Sequence, residues 1–177
     1  MILDSLFGRS PGKEAAAALY EAVVAQSRQP PFYLVCGLPD SLDGRFEMIA
    51  LHSFIVLRRL KALGPEADAL AQDFVDTLVL DLDRSLREMG VGDLGVGKRV
   101  KRMAAGFHGR ISAYDTGLAA GSDELEAAVR RNVFGTISPE PWQVSAMATY
   151  LRREVEAAAD PGLLSGEVGF GPPPARD

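Results

Sequence analysis

The sequence of 177 residues contains little of what metalloproteins, secreted proteins and membrane-spanning proteins depend on. Its one cysteine, Cys36, excludes an intrachain disulfide and a cysteine-based metal cage, and two histidines cannot form a metal site without carboxylates. No apolar run approaches the ~20 residues that a membrane span requires, and the first residues lack the layout of a signal peptide. We therefore expect a cytoplasmic protein.

Positive charge is also scarce. The chain has 24 acidic and 19 basic residues, which gives a net charge of −5 and an isoelectric point near 5.1. This balance argues against a specific nucleic-acid partner. The hydrophobic content of 47% is sufficient for one core, and the length is that of a single domain.

Apolar residues recur at spacings of three and four, which is typical of amphipathic helices. The clearest stripe consists of Leu70, Phe74, Leu78, Leu82, Leu86 and Met89. The segment from Leu42 to Leu63 is apolar nearly all round, which favours a position at the centre of a bundle over one with a face in the core and another against a partner. These patterns predict an all-α single domain, an irregular bundle of about six helices.

Proline and glycine divide the chain into three parts. We expect an N-terminal arm at 1–13, a helical domain at 14–159 and a flexible Pro/Gly-rich tail at 160–177 without a regular element. Residues 32–36, FYLVC, fit either a turn of helix or a short extended segment. Other predicted helix starts or caps are Glu14, Ser41, Pro65, Ser122 and Ser138.

The most distinctive stretch lies at 81–106, where a charge-dense helix leads into a glycine-rich corner and a basic helix follows. Four glycines are expected to allow a sharp reversal of the backbone, with Asp93 as the N-cap of the second helix. They are Gly90, Gly92, Gly95 and Gly97. Lys98, Arg99, Lys101 and Arg102 occupy the first two turns of the basic helix.

Two nucleotide-binding patterns can be found in this corner. Gly90, Gly92 and Gly95 satisfy GxGxxG, but a dinucleotide fingerprint follows a strand, whereas the preceding residues have a helical period. Lys98 completes a GxxxxGK pattern, yet Arg99 stands where a phosphate loop needs Ser or Thr for magnesium. We therefore interpret the glycines as residues of a tight interhelical turn.

The residues at 81–103, DLDRSLREMGVGDLGVGKRVKRM, resemble the ubiquinol-cytochrome c chaperone family, as do RQPPFY and GLPDSLDGRFEMIALH upstream. The resemblance extends from about Leu19 to about Tyr114. It implies a non-catalytic assembly factor for the ubiquinol-cytochrome c reductase complex, with newly made cytochrome b or another membrane subunit as client. The ribosome and a small helper protein are further partners that the resemblance suggests. The absence of a targeting extension suggests a bacterial member at the inner face of the membrane, with peripheral membrane contact.

An assembly factor needs a surface that holds an apolar client segment reversibly within a charged rim. We expect this surface to be a groove beside the corner, between the central helix and the corner helices. Its predicted rim consists of Asp81, Asp83, Arg84, Arg87, Glu88, Asp93, Lys98 and Lys101. Asp81, close to the apolar stripe, is expected to have a hydrogen-bond or charge partner, such as Arg84 or a basic residue of the second helix.

No motif places a nucleophile beside a base, so we expect no enzymatic activity and no bound cofactor. The competing hypothesis is a carrier that binds haem through His52 or His108, or holds a quinone in an apolar groove between helices. His52 lies among apolar residues, where a lone histidine is more often a hydrogen-bonded core residue than a ligand.

Overall fold

The computed structural model describes residues 10–88, 93–157 and 160–176. Over these ranges the regular structure is entirely helical, as predicted, with six long helices and one of five residues. The α-helices are α1 (Pro11–Ser27), α2 (Pro30–Leu34), α3 (Leu42–Leu63), α4 (Asp68–Glu88), α5 (Asp93–Ala120), α6 (Ser122–Asn132) and α7 (Pro141–Glu156). Short 3-10 helices lie at Pro65–Ala67 and Pro161–Ser165. In the part of the chain so described, no helix combines the length and the hydrophobicity needed to cross a bilayer.

Helix α3 lies at the centre of the bundle, as its all-round hydrophobicity predicted. Its side chains enter two core clusters on opposite sides. Met48, Leu51, Phe54 and Ile55 pack in the cluster shared with α6 and α7, whereas Phe46, Ala50, Val56 and Leu60 pack in the one shared with α1 and α4. The predicted stripe of α4 faces the second cluster, and its five members within the described residues are all buried.

Of the five predicted helix starts or caps, one is confirmed and four are displaced. The Ser41 hydroxyl caps α3 by accepting a hydrogen bond from the Gly44 amide at 3.2 Å. Helix α1 begins at Pro11, three residues before the predicted start, because proline needs no donor in the first turn. Of the two alternatives for FYLVC, the structure shows the turn of helix, because residues 32–34 lie in α2. Phe32 is buried there.

The other three predicted starts are displaced by local backbone geometry. Pro65 begins a 3-10 helix rather than α4. Ser122 is the first residue of α6, and the capping position belongs to Gly121, whose φ of 126° favours glycine. Helix α7 begins at Pro141 instead of Ser138, and the Gln143 side chain accepts a hydrogen bond from the Glu140 amide at 2.8 Å.

The corner itself lies mostly outside the described residues, which omit Met89, Gly90 and Gly92 together with the side chain of Asp93. Gly95 and Gly97, which were predicted to form part of the turn, lie instead within α5. Helix α5 begins at Asp93 and therefore accommodates both glycines in its first turns. Asp93, the predicted N-cap, is the first residue of this helix.

The C-terminal segment 160–176 was expected to hold no regular element, and this expectation is wrong. It contains the 3-10 helix Pro161–Ser165 and packs along α3 and α7. The Phe170 ring lies edge-on against the His52 ring at a centroid distance of 5.3 Å. Arg59 Nη1 donates to the Gly169 carbonyl at 2.6 Å, and the Gly171 amide donates to Glu154 Oε2 at 3.1 Å. Proline and glycine exclude a long helix here, but they do not prevent the backbone from finding hydrogen-bond partners in the core.

Candidate functional site

Four of the predicted rim residues form two exposed ion pairs along α4. Arg87 Nε lies 2.7 Å from Asp83 Oδ2, and Arg84 Nε lies 3.0 Å from Glu88 Oε1. Both pairs have the i, i+4 spacing that brings side chains together on a helix surface. Exposed pairs of this kind contribute about 0.2–1 kcal/mol each, so their effect on folding is small.

The fifth predicted residue on α4, Asp81, faces α1. The Tyr20 hydroxyl donates a hydrogen bond to Asp81 Oδ2 at 2.8 Å. Asp81 thus has a hydrogen-bond partner, as expected, but the partner is a tyrosine of α1 and neither Arg84 nor a basic residue of α5. Burial raises the pKa of Tyr20, and the hydrogen bond to Asp81 raises it further, so this hydroxyl remains a donor over the physiological pH range.

An open cavity of about 820 Å³ lies between α1 and α4, and we call it the α1–α4 groove. Asp81, Arg84 and Glu88 line it, as do Tyr20, Val24, Arg28 and Leu80. Leu80 is 70% exposed, whereas the other leucines of α4 are buried. The groove thus combines apolar surface with charges of both signs.

The predicted rim residues on α5 lie elsewhere. Lys98 lines a second open cavity of about 780 Å³, which lies between the start of α3, the start of α5 and the end of α6. We call it the basic cavity. Lys101 is exposed and lines neither cavity. The structure therefore brings Asp81, Arg84 and Glu88 together and places the two lysines away from that groove.

The basic cavity contains functional candidates that the sequence-based rim did not include. Arg99, Arg102, Arg110 and Arg131 all line it. Two nitrogens of Arg110 bind the two carboxylate oxygens of Glu47, and this contact joins α5 to α3. Arg99 and Arg102 were visible in the sequence as part of the basic helix, but the contribution of Arg131 from α6 depends on the packing of helices distant in sequence.

His52 is a core residue, as expected, and both of its ring nitrogens have hydrogen-bond partners. Nδ1 lies 2.8 Å from the Met48 carbonyl, which can only accept, so Nδ1 carries the proton. Nε2 then accepts from the Tyr150 hydroxyl at 2.8 Å, and Gln26 Nε2 donates to the same hydroxyl at 3.0 Å. Burial lowers the pKa of His52 to about 4.

This network argues against the hypothesis that the protein carries haem bound through His52. The Nε2 lone pair that would bind iron is already used by Tyr150, so ligation would break a buried hydrogen bond. His108 is exposed on α5. Across 10–88, 93–157 and 160–176 no group of three or more His, Cys, Asp or Glu side chains could hold a metal ion.

Together, the fold and the cavities define an all-α domain in which the α1–α4 groove and the basic cavity are open, charged recesses formed by helices distant in sequence. The family model described as ubiquinol-cytochrome C chaperone matches residues 34–167. The chain belongs to this family. The resemblance recognised in the sequence is thereby confirmed.

Relatives named ubiquinol-cytochrome c reductase complex assembly factor 1 support the same assignment. The mouse protein is 27% identical over 164 residues, which cover 90% of this chain but 56% of the relative. The Xenopus laevis protein is 26% identical and is covered to 84% of its length. The crystal structure of the Cbp3 homolog from Brucella abortus superposes with a TM-score of 0.79 at 36% identity, over 97% of each chain.

Proposed function

We propose that this chain is a non-catalytic assembly chaperone that binds newly made cytochrome b during biogenesis of the ubiquinol-cytochrome c reductase complex. The family assignment supports the general role, because relatives carry the name of an assembly factor for that complex. The observation that supports a polypeptide client is the α1–α4 groove, with exposed Leu80 beside charged side chains.

The chemistry of the groove suits a segment of a membrane subunit before it is inserted. Val24 and Leu80 offer apolar contacts, and a leucine that passes from water into an interface contributes about 1.5–3 kcal/mol. Arg28, Arg84 and Glu88 add charged groups at the same cavity, which can orient a client without a large gain in affinity. A chaperone must release its client, so a modest apolar contact with a polar rim is appropriate.

All of the predicted client-binding residues remain part of this proposal, but those that line the groove contribute most to it. Asp81, Arg84 and Glu88 line the groove, and Asp83 and Arg87 occupy neighbouring positions on α4. Lys98 and Lys101 lie on α5 outside the groove, so they would contact a client only if it extended beyond the groove. The side chain of Asp93 lies outside the described residues.

The role would place the protein in the cytoplasm at the inner face of the membrane, where cytochrome b is inserted. The ribosome and a small helper protein are further proposed partners. The proposed role requires no cofactor and no catalytic group, because a chaperone acts by binding and release alone.

The test is capture of cytochrome b, newly synthesised in a cell-free translation reaction, by the purified chain. Leu80→Glu places a charge in the groove and should weaken capture by about tenfold or more, because the client segment can no longer bury this position. Leu164→Glu is the matched control, since Leu164 is also an exposed leucine but lies in the C-terminal 3-10 helix. Equal capture by the wild type and by folded Leu80→Glu would rule out the groove as the client site.

A further inference from the structure

The basic cavity carries a charge opposite to that of the whole protein. Five basic and two acidic side chains line it, although the chain has a net charge of −5. Arg110 is neutralised by Glu47. The remaining four basic residues form no ion pair within the part of the chain that the structure describes. They are Lys98, Arg99, Arg102 and Arg131.

Folding alone does not account for this arrangement. Lys98 and Arg102 are four residues apart on α5, so their like charges repel each other on one helix face. A bound anion would relieve the repulsion between the side chains.

Exposed apolar side chains accompany these cations. Leu42 lines the cavity and is 40% exposed, and Ile137, which follows the lining residue Thr136, is also 40% exposed. Asn132, another lining residue, has an amide nitrogen with no acceptor among the described residues. Cations beside exposed apolar side chains match the interface of a bilayer, where phosphate groups lie above the acyl chains.

We propose that the basic cavity binds the phosphate groups of anionic lipids and holds this face of the protein against a membrane surface. Single-stranded nucleic acid fits less well, because the one aromatic residue that lines the cavity, Phe46, is buried and offers no stacking platform. The inference is independent of the proposed client, because the residues that carry it do not line the α1–α4 groove.

The test is co-sedimentation of the purified chain with phosphatidylcholine vesicles that either contain or lack phosphatidylglycerol. The wild type should bind the anionic vesicles more strongly, and salt should weaken the binding. The variant Arg99→Gln/Arg102→Gln/Arg131→Gln, which leaves the predicted client-binding residue Lys98 unchanged, should lower the partition coefficient by about a hundredfold, because each basic residue near an anionic surface contributes roughly fivefold.

The matched control is Lys61→Gln/Arg130→Gln/Arg152→Gln, which removes the same charge at positions outside the cavity. It should retain most of the binding. An equal loss in both triple variants would overturn the proposal, since only net charge would then matter. Binding of inorganic phosphate or of a short RNA by calorimetry, without vesicle binding, would also overturn it.

Circular dichroism melting establishes that each triple variant is folded. The two proposed surfaces can be separated with the same proteins. Leu80→Glu should bind anionic vesicles normally, and the triple variant of the basic cavity should still capture cytochrome b from detergent solution. A loss of both activities in either variant would contradict the assignment of separate sites.

Discussion

The ion pair between Arg59 and Glu154 joins α3, α7 and the C-terminal segment, and its removal provides a sensitive test of how that segment is held. Arg59 Nη2 lies 2.9 Å from Glu154 Oε2, and the two side chains are 7% and 3% exposed. Arg59 Nη1 also binds the Gly169 carbonyl, while Glu154 accepts from the Gly171 amide. One pair therefore satisfies backbone groups of the C-terminal segment on both sides of Phe170.

The expected cost follows from this burial. Glu154→Leu leaves the Arg59 guanidinium in the core without its counter-charge, and such a loss destabilises a protein by about 3–5 kcal/mol. Glu154→Gln keeps an acceptor of the same shape and should cost about 1–2 kcal/mol less. The double variant Arg59→Met/Glu154→Leu should be more stable than Glu154→Leu alone, because no unpaired charge remains buried.

The assay is urea denaturation followed by circular dichroism, which yields the free energy of unfolding for each variant. Glu88→Leu is the control, because Glu88 forms an i, i+4 pair with Arg84 that is exposed to solvent. This control should change the free energy of unfolding by less than about 0.5 kcal/mol. If Glu154→Leu also costs less than about 1 kcal/mol, the C-terminal segment is not held by this pair, and the reasoning fails.

Two further predictions concern stability. Because burial lowers the pKa of His52 from 6.5 to about 4, the unfolded chain takes up this proton first as the pH falls. The free energy of unfolding should therefore decrease by about 3 kcal/mol between neutral pH and pH 4, and His52→Gln should remove that part of the slope in denaturation curves. Gly117→Ala should lower the melting temperature, since its Cβ would lie 2.8 Å from Leu125 Cα, whereas Gly109→Ala, with nothing within 4 Å, should raise it. A melting temperature raised by both substitutions, or a pH slope unchanged in His52→Gln, would contradict these assignments.

Much of the fold could be predicted because helical periodicity is a local property. The leucine stripe of α4 and the all-round hydrophobicity of α3 depend only on the order of residues, and both identify the buried surface correctly. The cap at Ser41 is also local, because its hydroxyl accepts a hydrogen bond from the amide of Gly44, only three residues along the chain. The wrong helix starts, at Glu14 and Ser138, each differ by three residues from the observed ones, since the nearby Pro11 and Pro141 also fit the first turn of a helix.

The candidate site was less predictable, because its residues come from separate helices. The i, i+4 pairs of Asp83 with Arg87 and of Arg84 with Glu88 are implicit in the sequence spacing. The hydrogen bond from Tyr20 to Asp81 spans 61 residues, and no spacing rule indicates it. For the same reason, grouping Lys98 with the α4 residues was reasonable along the chain but does not hold in space.

The sequence by itself determined the all-helical class, the central helix and the family, because periodicity and a distinctive run of residues need no knowledge of packing. Only the tertiary structure decided that the charged corner contributes to two cavities instead of one, that Arg131 of α6 joins the basic cavity, and that the glycine-rich C-terminal segment packs against the core. The physical reason is that the interactions of charges and backbone carbonyls depend on the distances between these groups in space. Those distances depend on how the helices cross, which no local pattern in the sequence encodes.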